Sequence, residues 1–207
     1  MPGTDIVAAA VVDGIGSTDE VAAFAAIAAE VAVRVGARKT GPIGILAAAE
    51  LVAAPAAAAI EPDGVAVLAI AEPGEPTRIA WTGDSRAYEW DGKALHQRST
   101  DHTVGQYLRY NEVAIELAEA HDNWIRTSLG RSSIATVHQA EIAGDAMVVL
   151  TSDGVHDHVP HSEMEALIRG HDGAPQALAD AIVAAARPNA EGYRDDATVV
   201  VLIPGTA

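Results

Sequence analysis

The chain has no cysteine, which excludes disulfides, thiolate metal sites and a cysteine nucleophile. Cations are scarce: 13 Lys and Arg stand against 29 Asp and Glu, for a net charge of -16. A nucleic acid or an anionic membrane is therefore a poor partner, because phosphate surfaces attract basic patches. No uninterrupted apolar run approaches the roughly 20 residues of a membrane span, since Pro42 and Pro55 break the longest alanine-rich stretch. The first residues, Met-Pro-Gly-Thr-Asp, lack the basic segment and apolar core of a signal peptide. These absences predict a soluble, cytoplasmic protein. At 207 residues the length suits one domain with a sizeable core.

What is present is a set of acidic fragments at the ends of apolar runs: Val11-Val12-Asp13-Gly14-Ile15-Gly16, Ser152-Asp153-Gly154, and Arg194-Asp195-Asp196-Ala197-Thr198. One Asp-Gly alone reads as a turn. Three carboxylates at strand ends, if they converge, could hold a hard divalent cation such as Mg²⁺ or Mn²⁺, which prefers oxygen ligands.

Residues 7–12 read as a buried strand, followed by a helix from about Asp19 to Val35 with Ser17 or Thr18 as its cap. Gly41-Pro42 opens a second helix from about Ile43, which Pro55 ends near residue 54. Both helices are alanine-rich enough to approach closely. Residues 65–71 and 78–82 read as strands, and Asp91-Gly92-Lys93 joins 87–90 to 94–97 as a hairpin. One helix is predicted over 103–120, strands over 135–142 and 146–151, helices over 162–169 and 174–187, and a closing strand over 197–203. Antiparallel strand groups with paired helices imply an α+β fold.

In this order the fragments resemble the metal-dependent protein phosphatase 2C (PPM) family in its bacterial serine/threonine form. The similarity rests on Asp13-Gly14-Ile15-Gly16, on Gly83-Asp84-Ser85-Arg86, on Asp101-His102, on Arg126-Thr127-Ser128-Leu129-Gly130 after a flap, on Gly144-Asp145 before Ser152-Asp153-Gly154, and on Asp195-Asp196-Ala197-Thr198. It implies two antiparallel sheets in a sandwich flanked by helix pairs, as a single domain over 1–207. It also implies two Mn²⁺ or Mg²⁺ ions, with Asp13 bridging, the Gly14 carbonyl on one ion, and Asp153 and Asp195 on the other; Asp84 corresponds to the ligand of a third, weaker ion. A metal-bound water is then the nucleophile attacking a phosphoserine or phosphothreonine ester of a protein substrate.

Two departures matter. Relatives carry an Arg and an Asn-x-Asp cluster before the first Asp-Gly, whereas Asp5 is the only charged side chain among residues 1–12. Ile15 stands where some relatives have a histidine, so no side-chain acid is assigned. Arg126 and Arg131 are candidates to bind the phosphate instead. Three readings stay open: an active phosphoprotein phosphatase, a pseudophosphatase that binds without efficient turnover, and a regulatory phosphatase of anti-sigma-factor antagonists. His156, His158 and His161 invite a transition-metal site, but a loop cluster of histidines is more often hydrogen-bonded or solvated.

Overall fold

The computed structural model describes residues 5–52, 62–171, 173–188, 190 and 192–203. Strand β1, Val7–Gly14, leads into helix α1, Asp19–Gly36, whose N-cap Thr18 accepts a hydrogen bond from the Val21 amide at 3.3 Å. Helix α2, Gly41–Ala49, takes Pro42 in its first turn, where proline's missing N–H costs nothing. It ends before Pro55, which lies outside the described residues. Strands β2, Gly64–Ala71, and β3, Thr77–Thr82, follow, then β4, Arg86–Trp90, and β5, Leu95–Gln97. Helices α3, Val104–Tyr110, and α4, Ile115–Glu119, precede β6, His138–Ile142, and β7, Met147–Thr151. The chain closes with α5, Asp153–His156; α6, His161–Gly170; α7, Pro175–Ala185; and β8, Val199–Leu202.

The strands form two antiparallel sheets, ordered β1-β2-β3-β6 and β5-β4-β7-β8. The two-residue period of a strand sends alternate side chains to opposite faces. In β2, Ala66, Leu68 and Ile70 meet Phe24, Ala28 and Ala32 of α1, whereas Val67 and Ala69 join the layer between the sheets. In β7, Met147 and Val149 pack on α6 and α7 through Met164, Ile168, Leu178 and Ile182, whereas Val148 and Leu150 face the other sheet. The result is helix pair, sheet, sheet, helix pair. Small side chains let the first helix pair sit close: a Cβ added at Gly44 would lie 2.5 Å from the Ala32 carbonyl oxygen and 2.9 Å from the Gly36 Cα.

Several expectations need correction. β1 is an edge strand in which Val11 is buried and its neighbours are not, so it is half-buried rather than a buried strand. The single helix expected over 103–120 is two short ones, because the chain turns at Glu112, which takes a positive φ of 56°. Residues 135–137 precede β6 rather than forming part of it. The short helix α5 has no counterpart in the sequence reading. Among the described residues no helix is long and apolar enough to cross a membrane.

Candidate metal centre

The strand ends that carry the acidic motifs meet at one end of the sandwich. Asp13 is the penultimate residue of β1, paired across from Val65. Asp84 follows β3, and the turn that places it depends on Gly83, whose φ of +90° disfavours an L side chain and whose added Cβ would fall 2.1 Å from the Val65 side chain. Asp153 opens α5 directly after β7, and Asp195 precedes β8.

The contact between those last two segments is specific. The Ser152 amide donates to the Thr198 carbonyl at 3.1 Å, and the Thr198 amide donates to the Ser152 hydroxyl at 3.0 Å. Gly154 lets the Asp195-Asp196 backbone lie against the start of α5, because a Cβ there would stand 2.3 Å from the Asp196 carbonyl oxygen. The Asp-Gly pairing of this motif therefore has a packing cause beyond turn preference.

A cleft of about 300 Å³ opens at this end, lined by Asp13, Gly14, Asp84, Asp153 and Asp195. All five sequence-assigned metal residues border it. Their charges oppose one another: burial, then a side-chain hydrogen bond and charge repulsion from Asp153, with further repulsion from Asp84 and Asp195, push the Asp13 carboxyl up to about 8. Burial and the Asp153 charge likewise raise Asp84 to about 7, against an opposing backbone hydrogen bond. An all-oxygen donor set that cannot ionise fully by itself fits a hard divalent cation, whose charge would reverse these shifts. Among the described residues no three His, Asp or Glu side chains already form a closed coordination group.

Asp157 also lines the cleft and was not singled out from the sequence. Its spacing of four from Asp153 puts it one helical turn on, at the C-cap of α5 with its amide donating to the Asp153 carbonyl at 2.9 Å, and that spacing is the signal that could have found it. Burial and the Asp153 charge raise it to about 6. Tyr193 is another lining residue, and its hydroxyl donates to Asp195 Oδ2 at 3.1 Å. Asp63 supports the site from behind: its backbone carbonyl accepts from the Ile15 amide at 2.8 Å, and its carboxylate accepts from the Ser128 hydroxyl at 2.5 Å and the Gly130 amide at 2.9 Å. It ties the segment after the flap to the Asp13 loop.

Arg86 is a positioning residue. Its Nε donates to Asp101 Oδ1 at 3.0 Å and its Nη2 to Oδ2 at 2.5 Å. Burial penalises its charge, and the paired hydrogen bonds to Asp101 outweigh that and keep it protonated. The next residue, His102, accepts from the Gly83 amide through Nδ1 at 3.2 Å, and its own amide donates to the Gly83 carbonyl at 2.9 Å. The Asp-His motif thus clamps the turn that carries Asp84.

The remaining candidates lie elsewhere. Arg126 stacks its guanidinium 4.1 Å over the Tyr107 ring and borders a neighbouring cleft rather than the carboxylate one. Arg131 closes a 3-10 turn, Leu129–Arg131, and is among the lining residues of neither cleft. The three histidines after Asp153 diverge: His156 is held by Thr151 at 3.1 Å, His161 bonds the Leu95 carbonyl at 3.0 Å, and His158 borders the carboxylate cleft. Trp81 is buried, with its indole N–H on the Thr100 carbonyl at 2.8 Å, while Trp124 is 60% exposed.

The family model for stage II sporulation protein E (SpoIIE) matches residues 98–203, just over half of the chain. The matched segment includes Asp153 and Asp195. No curated protein matches the chain significantly. Among solved structures, the S. agalactiae serine/threonine phosphatase superposes with a TM-score of 0.78 at 13% identity, over 97% of this chain and 89% of that one. The PPM Ser-Thr phosphatase MsPP from Mycobacterium smegmatis gives 0.73 at 19% identity, over 96% and 88%. The Mycobacterium tuberculosis serine/threonine phosphatase PstP/Ppp gives 0.66 at 21% identity, over 94% and 86%. At such identities the likeness establishes the fold, and it is the sandwich described above.

Proposed function

Because the chain belongs to the SpoIIE family, within the PPM-type phosphatases, we propose that it is a metal-dependent serine/threonine phosphoprotein phosphatase. The observation that carries this is the convergence of Asp13, Asp84, Asp153 and Asp195 on one cleft from four separate strand ends. Mn²⁺ or Mg²⁺ bound there would lower the pKa of a water and neutralise phosphoryl charge.

This chain's residues divide the remaining work. Asp13 and the Gly14 carbonyl would hold one ion, with Asp13 also reaching the ion held by Asp153 and Asp195. Tyr193 fixes the Asp195 carboxylate through its hydroxyl, and Asp157 adds acidic support beside Asp153. Arg86 and Asp101 hold the His102 clamp on the Gly83 turn, which keeps the buried Asp84 in the wall of the cleft. Among the described residues the side chains bordering the cleft include no arginine or lysine, so phosphate binding would fall on the cations and on the Gly14-Ile15-Gly16 turn.

The ion on Asp13 and the Gly14 carbonyl would have fewer protein ligands than the ion on Asp13, Asp153 and Asp195. A calorimetric Mn²⁺ titration is expected to show one tighter and one weaker event; two equally tight events would mean further ligands. The function itself is tested by hydrolysis of an aryl phosphate in Mn²⁺ or Mg²⁺. Turnover that is lost with a chelator and in Asp153→Asn supports it. Binding of a phosphopeptide without any turnover would replace it by a pseudophosphatase.

A second reading at the level of substrate is a regulatory phosphatase of anti-sigma-factor antagonists. A clear preference for a folded phosphorylated antagonist domain over its isolated phosphopeptide would support it.

A further inference from the structure

We propose that the cleft next to the carboxylate site is an anion subsite, in which Arg126 receives an oxyanion side chain of the polypeptide substrate close to its phosphorylated residue. The inference rests on the phosphatase reading and names a feature of its substrate. The cleft measures about 270 Å³, and its walls include Gln106, Tyr107, Tyr110, Arg126, Thr127 and His138.

The two clefts share a wall. Asn123 and Ile125 border the carboxylate cleft, and Arg126 and Thr127 border the second. That wall is anchored, because Thr103 and Ile125 form an antiparallel bridge and the Arg126 amide donates to the His102 carbonyl at 2.8 Å. An extended peptide advances about 3.3 Å per residue. A phosphorylated residue in the first cleft therefore brings side chains within about four positions of it to the second.

The chemistry of the second cleft selects an anion. In this strongly acidic chain Arg34, Arg78, Arg86, Arg98, Arg109 and Arg169 each pair with a carboxylate. Among the described residues Arg126 has no such ion pair; it is exposed and lies over the Tyr107 ring. Stacking fixes the guanidinium plane and leaves its edge of N–H donors open to a bidentate oxyanion. Among the described residues the one carboxylate in the cleft wall, Asp101, is already bound by Nε and Nη2 of Arg86. Burial and the charges of His138 and Arg126 lower His102 to about 4, in keeping with a locally positive field inside an acidic protein. An Asp or Glu carboxylate and a second phosphate offer the same chemistry, and the test separates them.

Three phosphoserine peptides are compared, identical except that the positions two and three residues from the phosphoserine carry glutamate, glutamine or a second phosphoserine. The wild-type chain is expected to favour the glutamate peptide over the glutamine peptide about tenfold in kcat/KM, through KM, as a charge-assisted pair would give. Arg126→Ala is expected to bring that ratio to about one, and Arg126→Lys to leave it in between, because a lysine keeps the charge and loses the fork. A preference for the second phosphoserine alone would identify the oxyanion as phosphate. A wild-type ratio near one for both anionic peptides, or a preference unchanged in Arg126→Ala, overturns the proposal. Fluorescence polarisation of the labelled peptides reads the same ratios as affinities, so the subsite is decided even if no peptide is hydrolysed, an outcome that would count against the phosphatase reading alone.

Discussion

At the scale of the residue, Asp13 shows how function and stability oppose each other. Without a cation its carboxylate is buried among Asp153, Asp84 and Asp195, which is why it holds its proton up to about 8. Asp13→Asn removes that conflict and the proposed ligand together. The variant is expected to lose at least a hundredfold in Mn²⁺-dependent turnover, and to melt a few degrees above the metal-free wild type at pH 8, at about 2–4 °C per kcal/mol for a chain of this size. Activity assays and paired thermal melts check both halves. The aspartates of the metal motifs were legible in the sequence because each ends an apolar run beside a glycine. Asp157 and Asp63 were not, since their roles come from where α5 and the segment after the flap pack, and a lone aspartate announces neither. Arg126 was legible as a substrate-binding candidate, but sequence could not say which of two adjacent clefts it borders.

At the scale of the element, the two helix pairs differ from the flap, the segment that carries α3 and α4. α1 and α2 approach so closely that Gly44→Ala should force overpacking, with a cost of about 1 to 3 kcal/mol in unfolding free energy by denaturant titration. α3 and α4 bury little besides Gly105 and Ala118 and expose Tyr107, Tyr110, Ile115 and Leu117. Few buried contacts mean a low local opening free energy. Hydrogen exchange of the α3 and α4 amides is expected to be on the order of a hundredfold faster, or more, than that of β2 and β7. The strands were readable because they are short apolar runs bounded by turn residues, as expected of strands such as β2 and β7 that are buried on both faces, and α1 because Thr18 caps it. The break between α3 and α4 was hidden, since Asn111-Glu112 carries neither proline nor glycine. The half-buried state of β1 was hidden too, because an alanine-valine run reads alike on an edge and in the centre of a sheet.

At the scale of the whole molecule, the chain carries a net charge of -16, and five of its carboxylates border the one cleft proposed to hold the cations. Asp13, Asp84 and Asp157 are all raised, to about 8, 7 and 6, with burial the first cause in each. The folded metal-free chain therefore holds protons that the unfolded chain releases above about pH 4. Its stability is expected to fall as pH rises from about 4 to about 8. Mn²⁺ should reverse the trend, raising the melting temperature more at pH 8 than at pH 5.5; an equal rise at both would separate the ion from these carboxylates. The two-sheet architecture was legible from the order of the motifs and from the resemblance they carry, whereas the cleft with Arg126 and Tyr107 depends on how the flap folds back on the His102 clamp.

The most direct test of the central claim is the anomalous scattering of Mn²⁺ in crystals of this chain. A manganese peak is expected in the cleft at one end of the sandwich, within about 2.0–2.6 Å of carboxylate oxygens from Asp13, Asp153 and Asp195. No manganese there at saturating concentration, or a peak held by other residues, would contradict it.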